Sequence, residues 1–173
     1  DSVIPMANGL VVMGVAGCGK SSLGAALAQA LALPLVEGDD FHPPASVEKM
    51  RQGIALTDAD RQGWLDRLAD ELRRHPDGVV LTCSALRRAY RDRLRAASPG
   101  LRFAFLDIGR EAALQRVSAR AGSHFFSASL VDSQFATLEP PTGEPGVLRL
   151  DATAPLDSLQ EQVGAWWRAQ ETA

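Results

Sequence analysis

Gly14-Val15-Ala16-Gly17-Cys18-Gly19-Lys20-Ser21 is the stretch that decides the fold of this 173-residue chain. It fits G-x-x-x-x-G-K-[ST], the spacing of a phosphate-binding loop. Its flanks fit as well. Residues 10–15 form a short apolar run that reads as a buried strand, and residues 21–31, rich in Ala and Leu, read as a helix. Glycines at this spacing let the backbone wrap so that consecutive N–H groups point inward at phosphate oxygens. The positive end of the following helix dipole lies at the same place. The expected nucleotide-binding set is therefore Gly14, Val15, Ala16, Gly17, Cys18, Gly19, Lys20, Ser21 and Ser22, the last in the first helical turn. Lys20 is expected to reach the β- and γ-phosphates of ATP, and the Ser21 hydroxyl to ligate Mg²⁺. Cys18 is either an activated thiol at a helix N-terminus or a small residue that fits the loop.

Outward from this loop, strand and helix signals alternate. Further strands are expected over 34–37, 79–83, 102–108 and 147–151. Helices are expected over 43–52, 58–75, 87–97, 111–120, 127–138 and 156–168. In the 58–75 segment Trp64, Leu65, Leu68 and Leu72 fall on one face, with Asp58 and Asp60 at the N-terminal end. In the last segment Leu156, Leu159, Val163, Trp166 and Trp167 do the same. Five short apolar strands separated by helices imply an α/β fold: a five-stranded parallel sheet covered by helices on both faces, a three-layer αβα P-loop arrangement. Ligands of such sheets bind beyond the carboxyl ends of the strands. That places the phosphate loop, Asp39 after the second strand, Ser84 after the third and the region after Ile108 around one site.

Composition sets the class. The length suits one domain spanning 1–173, and 46% hydrophobic with 23% charged residues is ordinary for a folded soluble chain, excluding disorder and coiled coil. The net charge of −3 argues against a dedicated nucleic-acid binder. Arginine is nevertheless concentrated. Residues 87–120 carry nine Arg against Asp92, Asp107 and Glu111, a balance of +6, which is either a pair of solvated helix faces or a positive surface for an anionic ligand. The longest apolar run is too short to cross a bilayer, and no basic-then-apolar signal pattern opens the chain. Cys18 and Cys83 do not make a disulfide framework. A cytoplasmic location with reduced thiols is expected, with no nucleic-acid or membrane partner.

A P-loop serves GTPases, ATPases and kinases. The Asn-Lys-x-Asp guanine signature is absent. A kinase of a diffusible substrate needs a base near the acceptor hydroxyl, cations around the phosphoryl group and a lid that excludes water. Asp39 or Asp40 could accept the acceptor proton or simply cap the next helix. His42, on the same loop, could hydrogen-bond a polyol or be structural.

At this point the sequence resembles the gluconate kinase family. The matching segments are Glu37-Gly38-Asp39-Asp40-Phe41-His42-Pro43, then Glu48-Lys49-Met50 with Gly53, then Leu56-Thr57-Asp58-Ala59-Asp60-Arg61 with Trp64-Leu65. They continue with Cys83-Ser84-Ala85-Leu86-Arg87-Arg88-Ala89-Tyr90-Arg91-Asp92, His124-Phe125-Phe126, Ser133-Gln134-Phe135 and Thr137-Leu138-Glu139. The resemblance implies a shikimate-kinase-like P-loop fold with a helical lid, and ATP-dependent phosphorylation of D-gluconate to 6-phospho-D-gluconate. It also implies a homodimer. Carried over by motif, Asp39 becomes the base, His42 a sugar contact, and Arg61, Ser84, Arg87 and His124 substrate-binding residues. A cation can bind the gluconate carboxylate in a bidentate fork, and whether Arg61 or Arg87 does so is open at this stage. For Arg61 the competing expectation is an exposed ion pair with Asp58 or another neighbour, worth little.

The substrate-binding helical segment is expected over about 40–75 and the lid over about 116–138. Arg116 and Arg120 sit four apart at the end of one helix and share a face. Arg120 is expected to meet transition-state charge, or else to complement a helix dipole. The Arg120-to-His124 spacing is one residue longer than the family pattern, and Ser127 stands where proline is common. Pro155, after the last strand, is expected beside the adenine. The rival functions are a P-loop kinase of another small hydroxy acid such as shikimate, and a nucleotide-binding sensor without catalysis.

Overall fold

A computed structural model of the protein describes residues 9–119 and 128–171. The elements run β1 (Gly9–Met13), α1 (Lys20–Leu31), β2 (Leu35–Glu37), a 3₁₀ turn (Gly38–Phe41), α2 (Pro44–Arg51), α3 (Asp58–Arg74), β3 (Val79–Thr82) and α4 (Arg88–Ala97). They continue with β4 (Arg102–Asp107), α5 (Arg110–Ala119), α6 (Ala128–Thr137), β5 (Val147–Asp151) and α7 (Leu156–Glu171). All strand pairs are parallel, in the order β2-β3-β1-β4-β5. β1 is central, so the loop that follows it opens where the strand order reverses, which is where ligands of such sheets bind.

The apolar runs have no polar alternation because both faces of the sheet are buried. Leu10 and Val12 join Ala104, Leu106 and Leu150 on one face, under α1 and α7. Val11 and Met13 join Phe103, Phe105 and Leu81 on the other, under α3 and α4. Trp64, Leu65, Leu68 and Leu72 are all buried along one side of α3. That helix begins with a reciprocal capping box, in which Asp60 N–H donates to Thr57 Oγ1 at 3.1 Å and Thr57 N–H to Asp60 Oδ2 at 2.9 Å.

Two expectations are corrected in detail. The first strand ends at Met13 rather than Val15, because Gly14 at φ +151° turns the chain. Val15 is still buried, so its apolarity reflects packing beneath the loop and not strand pairing. On α7, Leu159, Val163 and Trp167 are buried, but Leu156 is exposed in the first turn.

Candidate active site

The phosphate loop joins β1 to α1 without a side-chain cap. Gly19, the N-cap residue, is left-handed at φ 95°, and the amides of a helix N-terminus are donors suited to an anion. Gly17 is required by space as well as by its φ of +83°, since a Cβ there would meet Ala113 O at 2.8 Å. Lys20 Nζ donates to Gly14 O at 3.0 Å and Val15 O at 3.3 Å, folding over the loop it serves. Cys18 is buried, with a free thiol. Ser22 is exposed on α1. Arg116 crosses to this loop from α5, donating to Gly17 O and Cys18 O at 3.2 Å and to Ala152 O at 2.9 Å. It thus joins the phosphate loop to the β5–α7 turn, which holds Pro155.

Ser21 reveals a partner to which the sequence reading gave no role. Its hydroxyl donates to Glu37 Oε2 at 3.0 Å, and the Thr82 hydroxyl donates to the same oxygen at 2.8 Å. Glu37 ends β2, so the side-by-side order of β2 and β3 brings it here. A hydroxyl and a carboxylate are hard oxygen donors of the kind Mg²⁺ takes alongside nucleotide phosphates and water. With one hydroxyl and one carboxylate, the donor set suits a metal shared with the nucleotide phosphates.

The acceptor side converges on one cavity, whose lining includes Lys20, Asp39, His42, Arg61, Ser84 and Gln134. Asp39 and His42 come from the 3₁₀ turn and its end. The turn sits tightly on β3: a Cβ on Gly38 would lie 2.2 Å from Thr82 O, so only glycine fits. Trp64 Nε1 donates to Gly38 O at 2.8 Å and stacks on the His42 ring at 4.4 Å. His42 Nε2 lies 3.8 Å from Asp39 Oδ1. Burial lowers the His42 pKa below its ordinary value, Asp39 opposes that, and Arg61 reinforces it. The imidazole is therefore neutral at pH 7, and the Asp39 approach is not an ion pair. His42 Nδ1 is buried with no hydrogen-bond partner among the described residues, a polar atom that calls for one.

Arg61 differs from the exposed ion pair weighed above. It is buried, and Nη1 donates to the Tyr90 hydroxyl at 3.3 Å. Tyr90 in turn donates to Asp58, so the link between Arg61 and Asp58 runs through a phenol. Burial and the Asp58 hydrogen bond both raise the Tyr90 pKa, which keeps it protonated as a donor. Arg87 is not among the residues lining the cavity; its Nε lies 3.5 Å from Asp58 Oδ1. Lys49 pairs with Asp60 at 2.9 Å. That hydrogen bond, with the one from Thr57 N–H, lowers the Asp60 pKa to about 2. Cys83 is buried beneath the site, and burial pushes its thiol up to about 12, which leaves it protonated. Arg120 and His124 lie outside the described residues.

Residues 10–141 match the AAA domain family. The chain is 42% identical over 165 residues to the gluconokinase of Gluconobacter oxydans (strain 621H), covering 94% of this chain and 92% of the relative. The chain belongs to the gluconokinase family. The thermosensitive gluconokinase of Escherichia coli (strain K12) is 40% identical across 88% of this chain and 83% of its own length. A crystal structure of a gluconokinase from Sinorhizobium meliloti 1021 superposes with a TM-score of 0.87 at 41% identity, covering 96% of this chain and 95% of that one. Shikimate kinase of Aquifex aeolicus, at 13% identity and a TM-score of 0.61, shares the fold alone. The P-loop αβα fold and membership of a family of kinases are thereby shown. Among the described residues, no helix is long and apolar enough to cross a membrane.

Proposed function

We propose that the chain transfers the γ-phosphoryl group of ATP to a hydroxyl of D-gluconate, giving ADP and 6-phospho-D-gluconate. One observation carries the reading. Lys20 of the phosphate loop lines the same cavity as a carboxylate (Asp39), a buried cation (Arg61) and a neutral imidazole with a free buried nitrogen (His42). That set matches a polyol bearing one carboxylate. Arg61 takes the carboxylate in a fork, with Arg87 on the neighbouring loop as a second cation. His42 and Ser84 hold hydroxyls. Asp39 accepts the proton of the attacking hydroxyl.

In the transfer, the acceptor oxygen bonds to the γ-phosphorus. The bond from that phosphorus to the β–γ bridging oxygen breaks, and its electron pair leaves with ADP. The loop amides from Gly14 to Ser22 and the Lys20 ammonium, freed from the loop carbonyls, hold the β- and γ-phosphates. Arg116 lies between the phosphate loop and Ala152, and the base lies by Pro155. Ser21 and Glu37 would hold Mg²⁺, which supplies charge neutralisation on the phosphate oxygens when bound. On the sequence argument, Arg120 adds a cation for transition-state charge and His124 a substrate contact. The same argument makes 40–75 the substrate-binding segment and 116–138 the lid. We place the enzyme in the cytoplasm, in keeping with its free buried thiols, and, on the resemblance carried by its sequence motifs, as a homodimer.

The test is ADP release with Mg-ATP and a panel of D-gluconate, shikimate, related sugar acids and no acceptor. Release that depends on gluconate is expected. Release with another acid moves the substrate, and nucleotide binding without release for any acceptor rejects the kinase reading.

A further inference from the structure

One donor of the phosphate loop already has an acceptor. The Ala16 N–H donates to Gln134 Oε1 at 2.7 Å, from a residue 118 positions later on α6. Inward-pointing amides of this loop are the groups that cradle phosphate, so a side-chain amide oxygen stands where a phosphate oxygen belongs. The position narrows which phosphate. The amides at the start of α1 serve the phosphate seated on the helix N-terminus. Ala16 lies at the other end of the loop, near the strand. Its partner Gln134 lines the acceptor cavity with Asp39 and Ser84. The donor it occupies therefore faces the group that passes between Lys20 and Asp39, the γ-phosphoryl.

Gln134 also stands at one end of a short connected path. Leu138 N–H donates to Gln134 O at 2.9 Å, and Glu139 N–H to Leu86 O at 2.7 Å. Glu139 Oε1 accepts from Arg88 N–H at 2.8 Å, and Glu139 O accepts from Arg91 Nη2 at 2.8 Å. The C-terminal end of α6 is thus tied to the loop that carries Ser84 and Arg87.

We propose that Gln134 is a positioning residue that senses the γ-phosphate. Its Oε1 holds the Ala16 N–H in the nucleotide-free chain, a γ-phosphate oxygen displaces it, and the released carboxamide donates into the acceptor cavity. A charged phosphate oxygen is the stronger acceptor, so ATP wins the exchange, whereas ADP lacks the competing group. The nucleotide that can react is then also the one that readies the cavity for the sugar acid. This inference rests on the reading of the site as an ATP:gluconate kinase.

The experiment is calorimetric titration of the intact chain with Mg²⁺ and either ADP or AMP-PNP, without acceptor. Apparent affinity is reduced by the fraction of chains in which the site is blocked. Gln134→Ala removes the block, and AMP-PNP is expected to bind about five-fold tighter, one ordinary hydrogen bond, with ADP unchanged. Gln134→Glu keeps the bond and repels the γ-phosphate, so AMP-PNP is expected to weaken about ten-fold or more relative to ADP. Misfolding would weaken both nucleotides together in either variant, so the opposed signs separate it from the proposed effect. In a second titration, the wild-type chain is expected to bind gluconate more tightly with AMP-PNP than with ADP, and Gln134→Ala to lose that difference. An AMP-PNP to ADP affinity ratio that is the same in all three chains overturns the proposal and leaves the kinase reading standing. A wild-type chain that binds neither nucleotide overturns both. Nucleotide binding with no acceptor-dependent release of ADP in the panel rejects the kinase reading, and the proposal that rests on it falls with it.

Discussion

Replacing Arg91 by methionine probes the connection beneath the acceptor loop. Arg91 is fully buried and spends its guanidinium on three partners. Nε and Nη2 form a fork on Glu144 at 3.0 and 2.6 Å, Nη1 donates to Ala85 O at 2.7 Å, and Nη2 to Glu139 O at 2.8 Å. Methionine fills much of the volume but leaves Glu144, 3% exposed, with Arg95 alone at 2.9 Å. Breaking a buried pair on one side costs about 3–5 kcal/mol. For a chain of this length that is a drop in Tm of roughly 6–20 °C. Ala85 adds a functional consequence. It is a non-glycine residue at φ 46°, a conformation that costs about 1–2 kcal/mol and that the Arg91 bond helps to hold. Its release shifts Ser84 and Arg87, so the KM for gluconate should rise while the KM for ATP stays near its wild-type value. Replacing both partners, Arg91→Met with Glu144→Leu, should recover most of the lost stability. The assay is thermal unfolding by circular dichroism alongside steady-state kinetics. A single variant that loses less than about 1 kcal/mol, or a double variant no more stable than the single, refutes the reasoning.

The same pair predicts a pH dependence. Burial raises the Glu144 pKa, but hydrogen bonds from Arg91 and Arg95 outweigh it and hold the carboxyl below the ordinary glutamate value. A folded value below the unfolded one means that the stabilisation is complete above the ordinary glutamate range and fades as pH falls through the folded value. Acid should therefore destabilise the wild type more steeply than the double variant, which equal slopes would contradict. Lys20→Ala should cut kcat by at least about a hundred-fold with an unchanged far-ultraviolet spectrum, and near-normal turnover would remove Lys20 from the transfer. Asp39→Asn should lower kcat by about 10²–10⁴ with little change in ATP affinity, and a rise confined to the gluconate KM would make Asp39 a binding group. His42 is held neutral by burial, so the gluconate KM should stay flat as pH drops through about 6.5, where a free imidazole titrates. An inflection there would mean that His42 is solvated.

The phosphate loop and the parallel sheet were legible because their signals are local: one eight-residue motif, and apolar runs with no alternation. The helix start at Thr57 was legible for the same reason, since a capping box is written within four residues. Site residues that arise from strand order were harder to read. Glu37 lies inside a segment matched to the family, yet its contacts with Ser21 and Thr82 exist only because β2 lies beside β3. Gln134 meets Ala16 across 118 residues, and no periodicity marks it. Arg91 read as one of several arginines on a basic helix. Only packing distinguishes it from Arg88 on the same helix, which is exposed. Charge counting leaves the 87–120 segment as either solvated helix faces or a positive surface, and neither describes Arg91 and Arg95, which are spent on Glu144, or Arg116, which is spent on the phosphate loop and Ala152.

The central claim is transfer of the γ-phosphoryl group to gluconate, and its most direct test is the product itself. Phosphorus NMR of a reaction containing the chain, Mg-ATP and D-gluconate should show one new phosphomonoester resonance, equal in area to either phosphorus signal of the ADP formed and coupled to the protons of a single gluconate carbon. ADP accompanied only by inorganic phosphate, or no loss of ATP at all, would contradict the account.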